Sequence, residues 1–202
     1  MALEVVPLMQ ILDEHGEEVA QTILNTFESI TVSGKDTAHD VEFFLKSKAI
    51  EFSKAGISAT HLIFGSYRGE SILVGYFAIA NRPLVIPSRH YKKLSSAIRG
   101  KIRFGGGVVE DNSTIITGYL IGQIAKNYSD ECKKAKLISG VDILQSAYDH
   151  IMKASNITGG SIVYLEYEDV DFLHKFYSDF GFTNLKEYTT KNGLQLALKK
   201  LK

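Results

Sequence analysis

The chain has 202 residues, 45% of them hydrophobic, and its 23 basic and 23 acidic side chains leave no net charge. That apolar share is ample for a packed core, the length favours a single domain over 1–202, and the charge balance argues against a chain built mainly to grip nucleic acid. Its one cysteine, Cys132, excludes an internal disulfide framework and fits a reducing cytoplasm, where we expect the protein. No apolar run reaches membrane-spanning length, so no membrane role is expected, and the acids that follow Met1 so closely do not make a signal peptide.

Residues Leu3 to Val6 form a short β-branched run ending at Pro7, the pattern of an edge strand. Leu8 to Leu12 and Val19 to Phe27 read as two helical pieces broken at Gly16. Thr31 to Asp40 is a polar loop. Val41, Phe44, Leu45, Ala49 and Phe52 recur at helical spacing, which predicts one helix over 41–55, capped by Asp40 and closed by Gly56. Thr60 to Tyr67 and Ser71 to Ala80 read as two strands of a hairpin turning at Arg68-Gly69. The second is almost continuously apolar, as a central strand is, and Gly75 inside it predicts a bulge or a close backbone approach.

Asn81 to Pro87 leads outward to a helix from Ser88 to about Gly100, which carries Arg89, His90, Lys92, Lys93 and Arg99. A basic helix is a solvated face or a surface for an acidic partner. Gly105-Gly106-Gly107 reads as a flexible loop, since no Lys-Ser/Thr or helical pattern follows it as in a phosphate loop. Further on, Ser161 to Tyr167 is a buried strand entered through Gly159-Gly160. A helix capped by Asp169 or Asp171 then ends at Gly181, with Phe172, Leu173 and Phe176 on its apolar side. Thr183 to Thr189 and Leu194 to Leu198 make a last hairpin around Asn192-Gly193.

The stretch Tyr119 to Gln145 draws the rest together. An apolar strand, Tyr119 to Ala125, runs into a basic polar loop, Lys126 to Lys136. Ser139-Gly140 then opens a helix with Val141, Ile143, Leu144, Ala147, Tyr148 and Ile151 on its apolar side. Helix N-termini present free N–H groups and a positive dipole end, and Lys126, Lys133, Lys134 and Lys136 add charge beside this one. The arrangement reads as a phosphate cradle or as an ordinary strand-to-helix unit with a solvated lysine loop. Cys132 lies in that loop, where it is expected to be exposed. A nucleophilic role for it would need a histidine partner. The six histidines show no metal-ligand spacing, so no metal is expected.

The segment Leu120-Ile121-Gly122-Gln123-Ile124-Ala125-Lys126 resembles the cofactor strand of the Gcn5-related N-acetyltransferases, and Phe176-Tyr177-Ser178-Asp179-Phe180-Gly181-Phe182 resembles the family's F-Y-x-x-F-G-F ending. The resemblance covers about 38–200, with 1–37 as an N-terminal strand and helices. Three positions depart from it. Ala135 stands where Arg or Gln is usual, Ile138 where the first glycine is, and Val170 where an asparagine is.

The resemblance implies an α/β fold of α+β type, with a central, largely antiparallel, splayed mixed sheet and helices on both faces. It implies acetyl-CoA as cofactor, held by Gln123, Ile124, Ala125, Lys126, Lys136, Ser139, Gly140 and Tyr177. Tyr177 would protonate the coenzyme A thiolate, and Glu166 or Glu168 would accept the amine proton. The activity implied is acetyl transfer to the primary amine of a small molecule or peptide. A second version is a toxin that acetylates aminoacyl-tRNA, paired with an antitoxin. The Val41–Ala55 helix with the GYFAIA and LIGQIA strands looks like that branch, although tRNA is not the favoured acceptor. A third is a catalytically idle coenzyme A-binding module. A homodimer fits any of them.

Overall fold

The computed structural model describes residues 3–30, 38–102, 106–108, 113–190 and 192–201. In chain order the elements are β1 (Glu4–Pro7), α1 (Leu8–Asn25), α2 (Ala38–Ser47), α3 (Ala49–Lys54), β2 (Ala59–Tyr67) and β3 (Glu70–Asn81). Then come β4 (Leu84–Ile86), α4 (Ser88–Tyr91), α5 (Ser96–Ile102), β5 (Gly106–Val108), β6 (Thr114–Ile116) and β7 (Gly118–Lys126). The last are α6 (Asp130–Ala135), α7 (Gly140–Thr158), β8 (Ile162–Tyr167), α8 (Asp171–Asp179), β9 (Thr183–Thr189) and β10 (Gln195–Lys200). This is the mixed α+β fold expected, with a large and mostly antiparallel sheet. The chain forms two compact units, Met1–Ala80 with Gly122–Ala147, and Asn81–Ile121 with Tyr148–Lys202.

In the first unit the strands run β1-β2-β3-β7. Leu8, Ile11, Leu12, Leu24, Leu45 and Ala49 from the helices are buried with Leu62, Leu73 and Tyr76 from the strands. Tyr76 is fully buried, its ring meets Phe27 edge-on at 5.2 Å, and its hydroxyl donates to Val41 O over 2.6 Å. Helix α1 breaks where expected, with Gly16 at φ +83. The helix predicted over 41–55 is two helices, divided at Lys48, whose ψ of −25 at φ −125 is not helical. Asp40 lies inside the first turn of α2 and so does not cap it. Gly56 does close α3, at φ +67. Arg68 and Gly69 both take positive φ, as a two-residue hairpin turn requires. The predicted loop residues 31–37 lie outside the described residues.

The segment predicted as a loop over 126–136 holds α6. Ser129 Oγ caps it by accepting from Cys132 N, acids Asp130 and Glu131 fill its first turn and Lys133 and Lys134 its last, so both ends match the helix dipole. That turn carries Cys132 inward. It is 4% exposed, its thiol donates to Leu73 O over 3.3 Å, and burial pushes its pKa up, contrary to the expected exposure.

In the second unit the strands run β7-β8-β10-β9, with β7 and β8 parallel. A separate sheet, β4-β6-β5, places β4 in the segment read as an outward lead and β5 in the one read as a glycine loop; Gly106 and Gly107 are in β5, and Gly105 lies outside the described residues. Leu84, Ile86 and Ile116 of that sheet are buried with Leu94, Ile102, Tyr164, Leu196 and Leu198. The predicted basic helix is two short ones, α4 and α5, and Ser88 is the first helical residue after Pro7-like extended backbone at Pro87 rather than a cap. The hairpin β9–β10 turns through Thr190 to Leu194, wider than the two-residue turn that Asn192-Gly193 suggests.

Candidate functional site

Strand β7 changes neighbours along its length. Its first half pairs with β8 from Gly118↔Ile162 to Ile121↔Leu165, and there the register ends. The rest of β7 lies in the first unit beside β3, with Gln123, Ile124, Ala125 and Lys126 half-buried. The bulge and close approach predicted for Gly75 are both present. The β2–β3 register skips one residue beside it, and a Cβ on Gly75 would stand 2.8 Å from Ile143 Cδ1 and 3.0 Å from Ala125 O. The missing side chain thus lets the first turn of α7 sit down on β3 next to the Ala125 carbonyl. Packing here brings Gln123–Lys126 and Ser139-Gly140 into one neighbourhood.

The start of α7 is closed by a reciprocal cap. Asp142 Oδ2 accepts from Ser139 N over 2.8 Å and from Ser139 Oγ over 2.7 Å, while Asp142 N donates to Ser139 Oγ over 3.3 Å. The Ser139 hydroxyl and amide hold the Asp142 carboxyl below its usual range. Gly140 and Val141 keep N–H groups that no intrahelical carbonyl can reach. Val141, expected on the buried side, is 53% exposed. Lys136 is exposed in a left-handed conformation at the end of α6, and Ile138 is a core residue at 5% exposure, which accounts for a large apolar side chain at a position usually held by glycine.

Asn127, which the sequence reading passed over, fixes the end of β7. It is 1% exposed. Its amide nitrogen donates to Leu73 O and Thr26 O over 2.7 and 3.2 Å, and its oxygen accepts from Ser129 N and Glu28 N over 2.9 and 3.1 Å.

In the second unit Tyr177 is the one buried residue of α8, with its ring centroid 4.9 Å from Tyr167, 5.0 Å from Phe176 and 6.0 Å from Phe182. Burial holds its pKa well above the ordinary phenol value, so the group stays protonated at neutral pH. Phe172, predicted on the apolar side of the same helix, is 64% exposed. Glu166 is a solvent-exposed residue on β8, yet partial burial of its carboxyl pushes its pKa up while Arg82 pulls it down. Glu168 follows the end of β8, so strand alternation does not place it on one face with Glu166; its carbonyl accepts from Val170 N over 2.8 Å.

Neither Asp169 nor Asp171 caps α8; the cap position is Val170, and Asp171 is in the first turn. Asp169 instead meets His174 Nε2 at 2.7 Å, His174 Nδ1 meets the Tyr167 hydroxyl at 3.0 Å, and Asn184 Nδ2 donates to that hydroxyl over 2.7 Å. No local pattern in the sequence marks this network, because only tertiary contact brings its four residues together. Among the described residues no group of three or more His, Cys, Asp or Glu side chains is placed to hold a metal ion, and no helix is long and apolar enough to cross a membrane.

A strand that parts from its parallel neighbour midway, followed by a helix opening beside its freed half, is the arrangement of the Gcn5-related N-acetyltransferase fold, and the chain has that fold. No family model and no curated protein matches it. Solved structures do. A Tyr-to-Phe mutant of KacT superposes with a TM-score of 0.62 at 13% identity, over 99% of this chain and 95% of that one. AtaT complexed with acetyl-methionyl-tRNAfMet gives 0.61 at 14% identity, over 98% and 95%. A Tyr-to-Phe mutant of the AtaT toxin, bound to the C-terminus of the antitoxin AtaR and to acetyl-CoA, gives 0.59 at 14% identity, over 98% and 92%.

Proposed function

We propose that the chain is an acetyl-CoA-dependent N-acetyltransferase of the toxin kind, acting on the α-amine of an aminoacyl-tRNA. The observation that carries this reading is the near-complete coverage, in both directions, of a solved toxin complexed with acetyl-methionyl-tRNAfMet. It reverses the order of the two acceptors expected from the sequence, where a small or peptide amine came first. The freed half of β7 supports the cofactor assignment. Amides of Ile124, Ala125 and Lys126 would hold the thioester, and the Gly140 and Val141 amides with Lys126 and Lys136 would face the pyrophosphate. The acetyl group moves from sulfur to nitrogen. Tyr177, protonated at neutral pH, would supply the proton that the departing thiolate takes, and Glu166, its pKa raised by burial, or Glu168 would receive one from the amine.

An antitoxin partner follows from the same reading. Inducing the chain alone in bacterial cells tests it. Growth arrest with blocked translation is expected for the wild type and not for Tyr177→Phe. Unimpaired growth with both chains soluble and folded would overturn the toxin reading.

A further inference from the structure

Helix α8 ends in a turn that carries Tyr177, and a lysine from β10 holds that turn from outside. The chain closes much of the helix end by itself. Phe180 N donates to Phe176 O over 3.3 Å, Gly181 N to Ser178 O over 2.9 Å and Phe182 N to Tyr177 O over 3.0 Å. Gly181, at φ +94, is the left-handed residue that lets the chain turn back. The Phe180 carbonyl is taken by Lys199, whose Nζ donates to it over 2.9 Å. The same ammonium lies 4.4 Å from the centre of the Tyr148 ring of α7 and 4.5 Å from that of Phe180, and those two rings meet edge-on at 5.9 Å. A Cβ on Gly181 would stand 3.6 Å from that nitrogen, so the turn and the lysine are in contact range.

Filling this space with an ammonium has a cost. Lys199 is half-buried, and desolvation lowers its pKa. A methionine would pack between two rings without that penalty. What the charge adds is attraction to the faces of Tyr148 and Phe180, and a charge-assisted donor at the C-terminal end of a helix, where the dipole favours a cation. Both effects act on the turn that carries Tyr177. The Tyr177 carbonyl closes that turn, and its ring meets Phe176 at 5.0 Å and Phe182 at 6.0 Å.

We propose that Lys199 is a positioning residue for Tyr177: by tying the Phe180 carbonyl and ring to Tyr148, it holds the last turn of α8 in the orientation that aims the phenol. This rests on the reading in which Tyr177 protonates the coenzyme A thiolate. Lys199 gives no proton in that step and acts through the Phe180–Phe182 turn.

The test is a double-mutant cycle on the full chain, with wild type, Lys199→Met, Tyr177→Phe and the double variant assayed for acetyl transfer to aminoacyl-tRNA over a range of acetyl-CoA concentrations. Lys199→Met should lower kcat about tenfold, a part of the ~10²-fold that an ångström of misplacement costs, and should leave the KM for acetyl-CoA within about twofold. In the Tyr177→Phe background the same change should lower kcat no further, because the group it positions is gone. Equal losses in both backgrounds, or a loss confined to KM, would overturn the proposal. Lys199→Gln, which keeps a donor without the charge, answers to the same criteria should Lys199→Met not fold. Amide hydrogen exchange on the same variants reads the turn itself. The Phe182 amide, bonded to Tyr177 O, should exchange about tenfold faster without the ammonium while the amides of β8 keep their protection, and an unchanged Phe182 amide overturns the anchoring. A wild type with no transfer activity would overturn the function instead, with the exchange result still deciding the anchoring.

Discussion

Asp142→Asn separates two jobs that meet at the start of α7. The carboxylate closes the helix by accepting from the Ser139 amide and hydroxyl over 2.8 and 2.7 Å. A pyrophosphate held by the Gly140 and Val141 amides at the same helix end would be repelled by that charge. Asparagine keeps the shape and one acceptor but removes the charge. The cap should weaken by ~0.5–1 kcal/mol, at the low end because the pair is solvent-exposed and screened. A charge at an exposed helix N-terminus is worth ~0.3–1 kcal/mol, so coenzyme A should bind about two- to fivefold more tightly. Melting temperature and calorimetric affinity should therefore move in opposite directions, and the gain in affinity should shrink at high salt. The pH dependence has a definite sign. The folded pKa is lowered, so this cap's contribution is complete above the unfolded-state value of about 4 and is lost as pH falls through the folded value. Coenzyme A binding that is unchanged or weaker in a folded Asp142→Asn protein would refute the anion site at this helix.

Tyr177→Phe should keep the fold and lose at least ~10²-fold in kcat, whereas Tyr177→Ala should also cost ~3 kcal/mol or more by opening a cavity at a residue 6% exposed; an active Phe variant would return Tyr177 to the core. Gly75→Ala should destabilise by ~1–3 kcal/mol in thermal unfolding, because the Ala125 carbonyl at 3.0 Å is backbone and cannot move aside as the Ile143 side chain can. Asn127→Ala should cost ~1–3 kcal/mol in urea unfolding, since it removes the partner of the Ser129 and Glu28 amides and of the Thr26 carbonyl, while Leu73 O keeps the Cys132 thiol. A loss under ~1 kcal/mol would mean that water replaces the side chain.

The elements legible in the sequence are those whose signal is local and long enough to repeat. Strand β3 reads as central from its continuous apolar run, and Gly56, Gly75 and Gly181 mark backbone positions that the structure uses, Gly181 at φ +94. Ser139-Gly140 opens α7 as the cap pattern indicates. The failures have physical causes. Strands β4, β5 and β6 have three residues each, too few for a period of two to emerge. Helix α6 is six residues long, and its Ser129-Asp130-Glu131 cap was outweighed by the lysines after it. The Lys48 break interrupts an apolar period that continues in phase on both sides. At the site, the β7 strand and the α7 start could be read from one stretch. The Asp169–His174–Tyr167–Asn184 chain joins a strand, a helix and a second strand, and only tertiary contact assembles it.

The most direct test of the central claim is acetyl transfer from radiolabelled acetyl-CoA to a panel of aminoacyl-tRNAs, uncharged tRNA, peptides and small amines with the purified chain. The account predicts label in acid-precipitable RNA that depends on the tRNA being charged and is released with the aminoacyl ester under mild base. Label confined to small amines or peptides would contradict the acceptor, and none in any acceptor, with coenzyme A still bound, would leave a binding protein rather than an enzyme.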